Sequence, residues 1–203
     1  MNEASVAAII LAAGKSQRMG SPKQLLMFNG NSLLRHAVQT ALASICDPVV
    51  VVLGAHIERL REEISDLPVK VVENHLWAEG LGASIRTGIA AIAAGSEQVA
   101  GAVMMLCDQP FVTSHTLDCL VSVYKESQPL AVASEYAGSL GVPALFGHKL
   151  FAELMALKSA EGAKHILKRN EQNISYLPVP EAIWDMDTPA DYERLIQVKS
   201  QFG

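Results

Sequence analysis

The stretch VAAIILAAGKSQRMGSPKQLL, residues 6–26, decides the fold, because an apolar run leads directly into a loop of small and basic residues. Val6–Ala12 has the length and the uninterrupted apolar character of a buried strand. Strands of this kind are typical of parallel sheets that helices cover on both faces. The stretch therefore predicts an α/β protein with a ligand loop directly after its first strand.

The loop after this strand is suited to holding a triphosphate. Gly14 and Gly20 are predicted to adopt positive φ and to let the backbone approach a ligand closely, while Ala12 and Ala13 leave room beside it. The spacing matches neither G-x-x-x-x-G-K-[ST] nor G-x-G-x-x-G. Positive charge for the phosphates comes from Lys15, Arg18 and Lys23.

The rest of the chain alternates apolar, β-branched runs with amphipathic segments, as expected for a sheet between helices. Ser32 is predicted to cap a helix over Leu33–Leu42, and Pro189 suits a first helical turn. The predicted strands are Val6–Ala12, Pro48–Leu53, Val69–Val72, Ala102–Leu106, Leu130–Ala133, Val142–Phe146 and Ile174–Pro178. Further helices are predicted over Glu58–Ile64, Ala83–Ala94, Ser114–Lys125, Lys149–Leu157, Ala163–Arg169 and Pro189–Val198. No linker or repeat divides the chain, so residues 1–203 are expected to form one domain.

Composition excludes several classes of function. A net charge of −5 argues against nucleic-acid binding, which needs many cations. The longest apolar runs are too short to cross a bilayer. The three cysteines form no C-x-x-C pair, which favours reduced thiols in a cytoplasmic protein. Cys107 lies in an apolar run and is interpreted as a buried thiol rather than a nucleophile.

Two carboxylates lie at predicted element boundaries. Asp108 follows an apolar strand, at the edge where ligands bind in open α/β sheets, and Asp187 lies two residues before the helix that starts at Pro189. Together they could ligate Mg²⁺, which usually takes one or two carboxylates and completes its shell with water and phosphate oxygens. The alternative is structural: Asp108 could satisfy backbone donors in a turn, and Asp187 could belong to a helix cap.

Three further segments are candidate ligand loops. In residues 73–85, Gly80 and Gly82 permit close backbone approach, and Asn74 and Ser84 offer hydrogen bonds to a base or ribose. The segments 138–143 and 159–164 could face a second substrate, or could be ordinary surface turns.

In sequence order, these motifs resemble the MobA-like nucleotidyltransferases, and most of all the molybdenum cofactor cytidylyltransferases. The resemblance rests on 11–23, 80–84, 107–110 and 185–189, and it extends from Val6 to about Tyr192. It implies a Rossmann-like three-layer α/β/α fold with a mostly parallel mixed sheet. The implied reaction is Mg²⁺-dependent transfer of CMP from CTP to the terminal phosphate of molybdopterin cofactor, with release of pyrophosphate. A recipient molybdoenzyme or its chaperone is the implied transient partner.

The resemblance also implies a role for individual residues. Arg18, Lys23 and Asp108 would be catalytic, and Asp108 and Asp187 would bind the metal. The nucleotide would contact Leu11, Ala12, Ala13, Gly14, Lys15, Asn74, Gly80, Gly82 and Ser84. The acceptor would contact Gly141, Pro143, Gly162 and Lys164. No protein base is required, because a phosphate monoester is already largely dianionic at neutral pH.

Two details separate the branches of this family. Guanylyl-transferring relatives usually carry Leu-Ala-Gly-Gly where this chain has Leu11-Ala12-Ala13-Gly14. The cytidylyltransferases often carry Gly-Asp-x-Gly-Ala-Arg where this chain has residues 159–164, so an aspartate and an arginine are replaced. Two alternatives therefore stay open: a sugar or polyol phosphate acceptor, and a non-catalytic nucleotide- or cofactor-binding partner of a molybdoenzyme.

Overall fold

The structure is a computed structural model that describes residues 4–16, 19–95 and 99–202, with side chains as far as Leu195. Its centre is a seven-stranded mixed sheet with helices on both faces, which confirms the predicted fold class. In chain order the strands are β1 (Val6–Leu11), β2 (Met27–Phe28), β3 (Asn31–Ser32), β4 (Val49–Leu53), β5 (Lys70–Glu73), β6 (Gly101–Leu106), β7 (Ala131–Tyr136), β8 (Ser139–Gly147) and β9 (Ile174–Pro178).

The sheet has the order β5-β4-β1-β6-β8-β7-β9. Most neighbours are parallel, but β8 runs antiparallel to both β6 and β7. The prediction of a loop over 138–143 is therefore wrong, because Ser139 and Leu140 already pair with Tyr136 and Glu135. Outside the main sheet, β2 and β3 form a small hairpin around Asn29 and Gly30. Both turn residues have positive φ, as a two-residue hairpin turn requires.

Seven α-helices are present in the described part of the chain: α1 (Leu33–Leu42), α2 (Ile57–Glu63), α3 (Leu81–Ala93), α4 (Ser114–Ser127), α5 (Phe151–Met155), α6 (Ala163–Arg169) and α7 (Pro189–Phe202). The Ser32 side chain accepts a hydrogen bond from Arg35 N, which confirms the predicted cap of α1. The single helix predicted over Lys149–Leu157 is instead a 3₁₀ turn, His148–Leu150, followed by the short α5. No helix in the described residues is long and apolar enough to cross a membrane.

The core lies in two layers, one on each face of the sheet. Along β1, Ala8 and Ile10 pack into the cluster under α1 and α4, while Ala7 and Ile9 pack into the cluster under α3, α5 and α6. Both faces of β1 are thus buried, which explains why its sequence is apolar without alternation.

The central position of β1 determines where a ligand site forms. β1 pairs in parallel with β4 on one side and with β6 on the other. In open α/β sheets, ligands bind in a crevice beyond the carboxyl ends of such strands. The loop after Leu11 and the turn after Leu106 therefore meet at the same edge of the sheet.

Candidate active site

A cavity of about 350 Å³ lies at this edge. Among its lining residues are Leu11, Ala12, Ala13, Gly14, Lys23, Gln24, Trp77, Gly80, Ser84, Asp108, Asp185 and Asp187. A neighbouring cavity of about 360 Å³ shares Gly14, Lys23, Trp77 and Asp187, and adds Lys15, Ser16 and Ala78. The structure thus brings together most of the residues predicted to bind nucleotide and metal.

The loop after β1 is held in shape by Gln24, which the sequence analysis did not identify. Its buried side chain donates hydrogen bonds to the carbonyl oxygens of Ala12 (3.0 Å) and Gly14 (2.7 Å). Ser16 Oγ in turn donates to Gln24 Oε1 and accepts from Lys23 N. These bonds fix the backbone of Lys23 beside the loop. No local pattern in the sequence marks this role.

One prediction for the loop is wrong. Gly20 has positive φ as expected, but Gly14 does not, and Ser16 adopts the left-handed conformation instead. Nothing lies within 4 Å of a Cβ built on Gly14, so glycine leaves open space there rather than a special backbone angle. Arg18, predicted to be catalytic, lies outside the described residues.

The centre of the site is an ion-pair bridge from Lys23 to two aspartates. Lys23 Nζ lies 2.5 Å from Asp108 Oδ2 and 2.7 Å from Asp187 Oδ1. The side chains of Lys23 and Asp108 are only 18% and 8% exposed, while that of Asp187 is 37% exposed. Because two of the three groups are shielded from water, this bridge is screened less than a surface salt bridge.

The two aspartates are joined through Met186. Met186 N donates a hydrogen bond to Asp108 O, and the Met186 side chain is fully buried against Phe28 and Leu33. With Met186 directed into this small core, Asp185 and Asp187 on either side line the cavity. The turn after β6 is therefore attached to the segment before α7.

The side chains of both aspartates contact Lys23. At the start of α7, Thr188 and Asp191 form hydrogen bonds with each other. Asp108 Oδ2 binds Lys23, while Asp108 Oδ1 is buried with no hydrogen-bond partner. A buried carboxylate oxygen without a partner is unusual and marks a place for a ligand.

Among the described side chains that line the first cavity, carboxylates outnumber cations. Burial alone would lower the pKa of Lys23, but the charges and hydrogen bonds of Asp108 and Asp187 outweigh it and raise that pKa above its ordinary value. Burial also raises the pKa of Asp185, and the nearby charges of Asp108 and Asp187 raise it further. Three carboxylates thus surround one ammonium, an arrangement that attracts additional cations.

The donor set fits a hard divalent cation that arrives with phosphate. Carboxylate oxygens are the ligands that Mg²⁺ prefers, and Asp108 Oδ1 has no hydrogen-bond partner in this structure. Within residues 4–16, 19–95 and 99–202, no three His, Cys, Asp or Glu side chains are arranged to hold an ion by themselves. The remaining ligands must therefore come from water or from a bound phosphate chain.

Asn74 has a positioning role in this structure. Its side chain is 2% exposed, its Nδ2 donates to Ser84 Oγ (3.0 Å), and its Oδ1 accepts from Leu76 N. Neither Asn74 nor Gly82, both in the described part of the chain, lines the two cavities. Asn74 instead orients Ser84, which lines the first cavity together with Leu11 and Asp108.

Gly80 and Gly82 are required by packing of the chain against itself. Gly80 has a φ of +127°, and a Cβ there would lie 2.5 Å from Ser159 O. At Gly82 a Cβ would lie 2.1 Å from Lys158 O. Arg86, also missed from the sequence, closes the contact by donating to Leu157 O (2.6 Å). The predicted acceptor loop is therefore fastened to the start of α3.

Replacement of Gly82 by alanine is expected to destabilise the fold. The new methyl group would overlap two backbone carbonyls, and such overpacking costs about 1–3 kcal/mol, against which the helix propensity of alanine returns at most about 1 kcal/mol. Thermal unfolding should therefore occur several degrees lower. The matched control Gly14→Ala should leave the melting temperature unchanged, and equal effects of the two variants would contradict this packing.

The four residues predicted to bind the acceptor lie away from the two cavities. Gly141 and Pro143 are in β8, where a Cβ on Gly141 would meet the Tyr136 hydroxyl and Ser134 Oγ donates to Pro143 O. Gly162 precedes α6, and Lys164 Nζ donates to Ser139 Oγ. The structure thus joins α6 to the β7–β8 hairpin, but it does not bring these residues to Lys23.

The cysteines fit the interpretation made from the sequence. Burial raises the pKa of the Cys107 thiol to about 12 and that of Cys46 to about 11. A thiol with so high a pKa is almost entirely protonated at neutral pH and is a poor nucleophile. Cys107 therefore packs in the core beside the site.

Comparison with protein families decides the classification. The model of the MobA-like NTP transferase domain matches residues 8–174. The chain belongs to the MobA-like NTP transferase family. The family is one of NTP transferases, and this MobA-like chain is an enzyme of the nucleotidyltransferase class. The matched range contains the loop after β1, the Gly80–Gly82 turn and Asp108, and it ends before Asp187.

Several named relatives are similar over much of this MobA-like chain. Purine catabolism protein PucB of Bacillus subtilis is 31% identical over 95% of this chain and 96% of its own length. Nicotine blue oxidoreductase of Paenarthrobacter nicotinovorans is 32% identical over 71% of this chain and 69% of its own. Molybdenum cofactor cytidylyltransferase of Escherichia coli is 23% identical over 91% and 92%, respectively.

Solved structures show the same fold. Rv0371c from Mycobacterium tuberculosis superimposes with a TM-score of 0.82 at 29% identity, covering 97% of this chain and all of that one. A complex of Rv0371C with manganese gives a TM-score of 0.75 at 27% identity, covering 95% and 98%. A relative of similar fold thus binds a divalent metal.

Proposed function

We propose that this enzyme transfers CMP from CTP to the terminal phosphate of molybdopterin cofactor, with Mg²⁺ as its metal and pyrophosphate as the second product. The observation that carries the proposal is the bridge from Lys23 to Asp108 and Asp187 beside the Ala12–Gly14 loop. Cation, carboxylates and a phosphate-sized space at one edge of the sheet are what a metal nucleotide requires.

Catalysis in this proposal is positioning and charge neutralisation. Asp108 and Asp187 would hold Mg²⁺, which when bound polarises phosphoryl oxygens and offsets their developing charge. Lys23, with Arg18, would balance charge on the α-phosphate and on departing pyrophosphate. Gln24 keeps the loop open toward the phosphates by engaging the carbonyl oxygens of Ala12 and Gly14.

The acceptor in this proposal is inferred from the named relatives and from the four residues that the family resemblance assigns to acceptor binding. Relatives over most of the chain include proteins named molybdenum cofactor cytidylyltransferase and, over 63% of it, guanylyltransferase. Gly141, Pro143, Gly162 and Lys164 would contact the pterin end of the acceptor, outside the two cavities that would hold the reacting phosphates. A molybdoenzyme or its chaperone would then receive the product. The proposal locates the reaction in the cytoplasm, in keeping with three unpaired thiols.

The choice of CTP rests on Ala13. This residue is 4% exposed, lines the cavity, and has its methyl group close to Gly54. In this proposal the methyl group would fill space that a glycine would leave for a larger purine base. We therefore associate the Ala-Ala-Gly sequence of the loop with a preference for CTP over GTP.

Replacement of Ala13 by glycine is therefore expected to shift preference toward GTP. Loss of one methyl group from a base pocket changes discrimination by about tenfold, since one methylene is worth about 1–3 kcal/mol. The measurement is the ratio of kcat/KM for CTP to that for GTP. Ala7→Gly, which removes a buried methyl from the same core cluster but outside the cavity, should leave the ratio unchanged. An unaltered ratio in Ala13→Gly would remove this residue from base selection.

The proposal is tested by incubating the protein with Mg²⁺, each ribonucleoside triphosphate and molybdopterin cofactor while pyrophosphate is measured. We expect release with CTP that requires the acceptor. Release with CTP only when a sugar or polyol phosphate replaces the pterin would support the other acceptor class. Tight CTP binding without turnover on any acceptor would support a binding partner, and preference for GTP would contradict the cytidylyl assignment.

A further inference from the structure

The ammonium of Lys23 occupies the place of a metal ion. Its Nζ contacts one oxygen of Asp108 and one of Asp187, at 2.5 and 2.7 Å, and these are the carboxylates that would hold Mg²⁺. An ammonium and a divalent ion within about 3 Å of each other repel strongly in a shielded site. Lys23 and the metal therefore exclude each other from the space between the two aspartates.

The acidic cluster of Asp108, Asp185 and Asp187 favours a bound cation. Asp185 lines the same cavity as Asp108 and Asp187. Without Lys23 the cluster would hold three carboxylates, one of them 8% exposed, and no balancing positive charge from the described side chains that line the cavity. A second cation bound to these carboxylates would offset the loss of charge when Lys23 departs.

Lys23 has a second position within reach. Its backbone is fixed by Ser16 Oγ and by the neighbouring Gln24, but its side chain borders both cavities. One cavity contains the aspartates, and the other is bordered by Gly14, Lys15 and Ser16. A rotation of the side chain, without movement of the backbone, carries the ammonium from the carboxylates toward the loop where phosphates would bind.

We propose that Lys23 is a built-in placeholder for the divalent cation. In the nucleotide-free enzyme it holds Asp108 and Asp187 together and keeps free metal out. When the metal arrives as its complex with the triphosphate, Lys23 leaves the carboxylates and binds phosphate oxygens. This inference rests on the proposed function, and it predicts that nucleotide and metal enter together.

The test is Mn²⁺ binding to the nucleotide-free protein, followed by electron paramagnetic resonance. Lys23→Met should bind Mn²⁺ about tenfold or more tightly than the wild type, because the competing ammonium is gone. Lys23→Gln, which keeps hydrogen-bond donors without charge, should show the same gain if the methionine variant folds poorly. Lys23→Arg should stay weak. Lys15→Met, which removes a nearby charge but no carboxylate contact, should change affinity by less than about threefold.

A second measurement separates this inference from the proposed function. Addition of a non-hydrolysable CTP analogue should tighten Mn²⁺ binding to the wild type and remove most of its difference from Lys23→Gln. Equal Mn²⁺ affinity of the wild type and both neutral variants without nucleotide would overturn the placeholder role, even if CTP is turned over normally. A tenfold gain in a protein that does not use CTP would retain the placeholder and contradict the proposed substrate.

Discussion

Replacement of Asp108 by asparagine should reduce pyrophosphate release by about 10³-fold or more, because the cation loses a buried ligand and with it several kcal/mol of charge stabilisation. The substitution keeps the size of the side chain and its contact with Lys23 through the remaining oxygen. Asp108 Oδ1 is buried without a hydrogen-bond partner. An asparagine amide carries no negative charge, so it is a weaker metal ligand than the carboxylate.

The matched control for this variant is Asp66→Asn. Asp66 is an exposed carboxylate that pairs with Arg35 on the surface, and its loss removes the same charge far from the site. Activity of the control should remain near that of the wild type. Circular dichroism and thermal unfolding of both variants would establish that the fold is retained. Near-normal turnover in Asp108→Asn would remove this residue from the reaction.

Replacement of Lys23 by methionine has the second large expected effect, and it combines a gain with a loss. Metal should bind the nucleotide-free variant more tightly, yet transfer should decrease by about 10²–10³-fold, as for loss of one preorganised charge at a reacting phosphate. A residue that only repelled metal would raise activity when removed. Opposite changes in metal affinity and in kcat are therefore the signature of the role we assign.

Lys23→Met should also lower stability. Removal of one partner from a buried ion pair costs about 3–5 kcal/mol, and the expected loss here is smaller because Asp187 is 37% exposed. The pKa of Lys23 is raised in the folded state, so its contribution is fully present at neutral pH and is lost only as the solution becomes strongly alkaline. Mn²⁺ should restore part of the lost melting temperature in the variant. Unchanged stability would indicate that the bridge contributes nothing to the fold.

Much of the fold followed from the sequence, because buried parallel strands are apolar on both faces. β1, β4 and β6 were predicted to within a residue at either end on this ground. The start of β8, residues 139–141, is missing from the strand predicted over Val142–Phe146, because a glycine two residues before Pro143 is typical of a turn. Its pairing with β7 depends on a register that local patterns do not specify.

The sequence predicted individual residues of the site but not the contacts between them. Lys23, Asp108 and Asp187 were each selected for their chemistry, but Lys23 is 85 residues from one aspartate and 164 from the other. The sequence suggested that Lys23 binds phosphate, and it could not show that the same ammonium bridges the carboxylates. The buried Gln24 was missed for a similar reason, since its partners are backbone carbonyls.

A competition between CTP and GTP at equal concentration tests most directly whether the enzyme transfers CMP to molybdopterin cofactor. The wild-type protein, Mg²⁺ and molybdopterin cofactor are incubated with both nucleotides, and the two dinucleotide products are quantified by mass spectrometry. We expect the cytosine dinucleotide to dominate and its amount to equal that of the pyrophosphate released. A predominance of the guanine dinucleotide, or pyrophosphate without either product, would contradict it.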